Sequence, residues 1–197
     1  MSSAAGAYRN PVGLPPAVQH AAQTRDDGEP HLSVAELLEI AAPTAAELSY
    51  ACENGWIDVA GAVDIIRAKV AAGISVHESE ERVAAGQSSL AEFQSGAAVL
   101  RTPEVALQGY WAYVLMAWGW RVRGQVRKPS QLVEAVFTSL DSPFALADFA
   151  WMARRWGPKV GFLRSRRAAQ NAAWQQYLAE ESSYYRDRGL FQRAAGG

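Results

Sequence analysis

The chain has 197 residues, 49% hydrophobic and 20% charged, with seven tryptophans and a single cysteine. This length and mixture suit one globular domain plus a tail. A lone Cys52 excludes an internal disulfide or a cysteine-built zinc site and fits a reducing cytoplasm. The net charge of −1 hides a polarity: residues 1–99 hold five basic and thirteen acidic side chains (−8), and residues 100–197 hold fourteen and seven (+7). Such a split marks a binding surface or a self-complementary contact, or else solvated faces that happen to segregate.

Residues 1–32 are rich in Ala, Gly, Pro and Ser, with breakers at Asn10-Pro11, Pro15-Pro16 and Asp26-Asp27-Gly28. They read as a mobile tail with at most a short helix near Ala17 to Gln23. Met1 to Leu14 lacks a basic region followed by an apolar run, so no secretory signal is expected. A single helical domain should fill residues 33–190. Ser33 with Glu36, and Thr44 with Glu47, have capping-box spacing and open helices from Val34 and Ala45. Pro43 stops the first and Gly55 the second. Asp58 caps a helix from Val59 to Ala72, where Val59, Val63, Ile66 and Val70 share one face. His77 to Ala85 is a charged helix, and Ser88 or Ser89 opens another to about Leu100.

Thr102-Pro103-Glu104 predicts a cap, a proline at the first helical position and an acid in the first turn. The helix to about Val122 is apolar nearly all round and should be central and buried. Its strongly apolar stretch, Tyr110 to Trp120, is too short to cross a bilayer. After a basic link from Arg121 to Lys128, Pro129 opens a helix to about Leu140. Ser142-Pro143 opens one to Trp156, and a loop follows from Lys159 to Arg164. Ser165 or a neighbour starts a last helix to about Arg188, with Trp174, Tyr177, Leu178 and Tyr185 inward. Gly189 should end it, leaving residues 191–197 frayed. The expected fold is therefore all-α, an irregular antiparallel helical bundle.

No cofactor or metal motif stands out. Cys52 sits mid-helix among small residues, as a structural thiol does. His77 and Glu81 would share a helix face, but no second histidine accompanies them. Glycine-rich phosphate loops are absent. The most suggestive cluster is basic: Arg154, Arg155, Lys159, Arg164, Arg166 and Arg167, interleaved with Trp151, Trp156 and Phe162. Arginines near aromatics hold phosphates or stack on bases. They equally suit an acidic protein surface. Arg154 and Arg155 complement the end of a helix, whereas Arg166 and Arg167 stand at a helix start, where the dipole disfavours cations.

Four stretches together resemble an uncharacterised bacterial family, domain of unknown function 2247. They are Glu53 to Asp58, Trp111 to Trp118, Pro129 to Phe137 with Asp141-Ser142-Pro143 and Phe149, and Trp174 to Leu178. The likeness spans Thr44 to Leu178. It departs at Thr138-Ser139-Leu140, where the family is acidic and aromatic, and after Phe149, where this chain is basic. It implies an all-α fold and supplies no catalytic residue. By analogy with small bacterial families, it points to a partner of a toxin or effector.

The expected function is a non-enzymatic protein–protein interaction module, with an immunity protein that neutralises a bacterial toxin as the specific form. The alternative is a nucleic-acid-associated accessory protein using the basic cluster. The expected partner is another protein, with neither cofactor, metal nor membrane, and the expected location is cytoplasmic.

Overall fold

A computed structural model describes residues 12–24, 31–98, 102–141 and 163–194. Helices begin where a side chain can satisfy the backbone N–H groups that a first turn leaves open. After a short α1, Pro16–Ala21, the Ser33 hydroxyl accepts from the Glu36 amide at 3.2 Å. Glu36 accepts from the Ser33 amide at 2.9 Å, which starts α2, Val34–Ile40. Thr44 and Glu47 repeat this box for α3, Ala45–Glu53. The Asp58 carboxylate accepts from Gly61 at 2.7 Å and starts α4, Val59–Ala71. Gly73, at φ 65°, closes that helix, with the Ile74 amide donating to the Lys69 carbonyl. The remaining helices are α5, Glu78–Ala84; α6, Leu90–Ala98; α7, Glu104–Val122; α8, Pro129–Ser139; and α9, Leu163–Ala194.

The described residues form an all-α fold. Their only extended pairings are two isolated antiparallel bridges, Val12 to Leu32 and Thr24 to Val126. No helix among them is long and apolar enough to cross a membrane. The expected helix from Ser142 to Trp156 lies outside the described residues.

The core is built on α7, which packs against α2, α3, α8 and α9. Tyr110 to Met116 and Trp118 are all buried. Burying a tryptophan removes enough apolar surface to contribute roughly 4–6 kcal/mol, provided its N–H finds a partner. Each one here does. Trp111 donates to the Glu47 carbonyl at 2.9 Å, Trp118 to His31 at 3.2 Å and, from α9, Trp174 to Met116 at 3.0 Å. The Tyr110 hydroxyl donates to the Ala41 carbonyl at 2.7 Å. These bonds tie α7 to the ends of α2 and α3 and to α9. At Gly119 the helices approach so closely that a Cβ would sit 2.8 Å from a Leu132 methyl and 3.2 Å from the Trp174 ring.

Several sequence expectations need correction. Residues 12–24 are not a free tail: Val12, Leu14, Val18 and Ala22 are buried, and α1 lies on α8. These apolar side chains are too sparse to show a period, yet each one finds a site. The helix at Thr102-Pro103 is offset by one, with Pro103 at the cap position and no side-chain cap. Gly189 does not end α9, which continues to Ala194. A glycine stops a helix only where the chain takes a left-handed turn.

Candidate functional site

The valines of α4 were expected to share a buried face. Instead α4 is rotated. Its buried side comprises Gly61, Ala62, Ile65, Ile66 and Lys69. Lys69 is 1% exposed, while Val59 and Val70 are each 51% exposed. Val63 is half-buried between them, and Ala60, Asp64, Arg67 and Ala71 complete the outer face. The helix thus buries its lysine and presents its valines.

The cause lies in the partners that Lys69 finds. Its ammonium bonds the Glu80 carboxylate of α5, and it donates to the Pro43 carbonyl, between α2 and α3, at 2.7 Å. Glu80 also accepts from the His77 amide at 2.8 Å. A buried charge is tolerated only when paired and hydrogen-bonded in this way. Sequence reasoning missed this network because Lys69 lies 26 residues from Pro43 and 11 from Glu80. A period-based reading cannot see such distant partners.

The arrangement differs from the expected chemistry elsewhere. His77 is not on the α5 face with Glu81. It precedes the helix as its cap, its Nδ1 accepting from the Ser79 amide at 3.2 Å. Among the described residues, no group of three or more His, Cys, Asp and Glu side chains is placed to hold a metal. Cys52 is half-buried, and its thiol pKa is pushed up to about 11 by burial first and by the carboxylates of Asp58 and Glu53. That is the opposite of the shift that activates a nucleophile. An open cleft of about 210 Å³ between α5 and α6 is lined by His77, Arg82, Glu92 and Phe93, among others. Glu92 is engaged there by Ser89, whose amide donates to it at 2.7 Å. Among the described residues the buried Tyr177 hydroxyl finds no hydrogen-bond partner, and burial followed by the Glu181 charge raises its pKa.

Of the basic residues named from sequence, Arg154, Arg155 and Lys159 lie outside the described residues. Arg164, Arg166 and Arg167 fall in the first turns of α9, where the backbone alone is described.

No family model, curated protein or solved structure matches the chain.

Proposed function

We propose that this chain is a non-enzymatic protein-interaction module whose partner covers the outer face of α4. The observation that supports it most is the inverted burial of that helix. Two half-exposed valines flank Val63, with Ala60 and Ala71 beside them, on a helix that has already used its charge internally. Apolar side chains grouped on one rigid helix face, edged by charge, are what partner surfaces recognise.

The surrounding charge defines the partner's chemistry. Residues 31–98 hold ten acidic side chains and three basic ones. One acid and one base are withdrawn into the Lys69–Glu80 pair, so the surface is acidic. A partner that presents an apolar patch ringed by lysine or arginine complements it. A toxin neutralised by an immunity protein of this kind would be such a basic protein, and the family resemblance noted from sequence points the same way.

The test is affinity capture of the full chain from host lysate treated with nuclease, beside a Val59→Glu/Val70→Lys variant. Both substitutions are at exposed positions and should leave the melting temperature within a few degrees. The reading predicts one stoichiometric basic protein with the parent chain, absent with the variant. A partner retained equally by both, or none with either, overturns it.

A further inference from the structure

Asn54-Gly55 ends α3, and it is a reactive pair as well as a helix stop. The chain holds three asparagines, Asn10, Asn54 and Asn171, and only Asn54 precedes a glycine. A glycine has no side chain to shield its amide nitrogen, and that nitrogen can attack the side chain of an asparagine before it. Both residues are exposed, so water reaches them.

The helix end holds the two reacting groups apart. At ψ 2° the Gly55 nitrogen eclipses Asn54's own nitrogen and stands away from Cβ. Ring closure needs it on the Cβ side, a rotation that the local hydrogen bonds oppose. The Gly55 amide donates to the Cys52 carbonyl at 3.1 Å and the Trp56 amide to the Ala51 carbonyl at 2.9 Å, with Gly55 at φ 69°. The Asn54 side-chain amide donates to the Tyr50 carbonyl at 2.8 Å. Trp56 anchors the turn: it is buried, edge-on to Tyr50 at 5.7 Å and to Trp111 at 5.8 Å. The Gly13 backbone passes the Trp56 carbonyl too closely for a Cβ to fit.

The geometry points to Asn54–Gly55 as a self-modification site that the α3 end keeps closed and that reacts when this end opens. The Gly55 nitrogen bonds to the Asn54 side-chain carbon, the bond from that carbon to Nδ2 breaks, and ammonia leaves with the amide proton. Water then opens the imide ring. Cleavage at the side-chain carbon gives aspartate, and cleavage at the main-chain carbon gives isoaspartate. Neither product rebuilds the end. A carboxylate at position 54 cannot donate to Tyr50, and it adds negative charge at a helix C-terminus beside Glu53. Isoaspartate lengthens the main chain, so the Gly55 and Trp56 bonds no longer fit together. Opening is thereby recorded as a covalent, one-way mark, independent of the α4 face.

The test follows Asn54 by peptide mapping and mass spectrometry while the full chain is incubated in mildly alkaline buffer, with isoaspartyl methyltransferase labelling of the products. Asn54 should convert in the denaturant-unfolded chain, and at least about tenfold more slowly in the folded one, because reaction tracks the open population. Trp56→Leu should speed conversion in a chain that circular dichroism still finds helical. If that variant unfolds, the parent in graded denaturant replaces it, and conversion should climb before global helix content falls. No conversion in the unfolded chain overturns the site. Equal rates in folded and unfolded chains, a folded Trp56→Leu chain no faster than the parent, or conversion that rises only with global unfolding overturns the role of the α3 end.

Discussion

Helices α4 and α7 are both mostly apolar, yet they end in opposite circumstances. α7 is enclosed: four helices cover it, and the N–H of each of its buried tryptophans is satisfied by a carbonyl. α4 is enclosed on one side only, and that side holds a lysine. A mostly apolar composition therefore states how much of a helix could be covered and leaves open which side is. For α7 the question does not arise. For α4 it was decided by Glu80 and the Pro43 carbonyl.

Four experiments would break or sharpen this contrast. The largest effect should come from Trp111→Ala, which empties a buried site and removes the indole bond to the Glu47 carbonyl. A loss of about 5 kcal/mol is expected in denaturant unfolding. If the loss is under about 2 kcal/mol, α7 is not the centre of the core. Next is Lys69→Met, which strands the Glu80 carboxylate and should cost about 3–4 kcal/mol. Adding Glu80→Leu should restore most of that stability, because a packed apolar pair replaces a stranded charge. Failure of the second change to rescue would mean that the ion pair does not set the rotation of α4.

Gly119→Ala should cost about 1–2 kcal/mol by pressing on Leu132 and Trp174. Thermal unfolding would reveal it, and an unchanged melting temperature would show that α7 and α8 have room to spare. The smallest effect belongs to Val59→Ser and Val70→Ser, each within about 0.5 kcal/mol. A loss above 1 kcal/mol in the isolated chain would mean that these valines are already covered.

Helix starts were the most legible part of the fold because they are local. Ser33 with Glu36, Thr44 with Glu47, and Asp58 each needed partners within three residues, and all three act as read. Gly55 and Gly73 take positive φ as expected. Features resting on distant partners were not legible. The burial of Lys69 is one. The seating of Val18 is another, since α1 rests on α8, much later in the chain. The candidate site falls in this second class. Its valines were visible as a stripe with Ile66, and of the four only Ile66 is fully buried. The basic cluster was visible as composition, and Arg154, Arg155 and Lys159 of it lie outside the described residues.

The bridge from Thr24 to Val126, with α1 lying on α8, has a consequence in time as well as in space. The two partners are separated by roughly a hundred residues, and synthesis proceeds at about 5–20 residues per second. Helix α1 therefore waits roughly 5–20 seconds for the surface that will shelter Val18. During that interval it is a short apolar segment with nowhere to go. Closing so long a loop is also slow on entropic grounds. Docking of α1 should thus be a late step in the birth of this molecule, and the nascent chain is most exposed to capture by chaperones before it occurs.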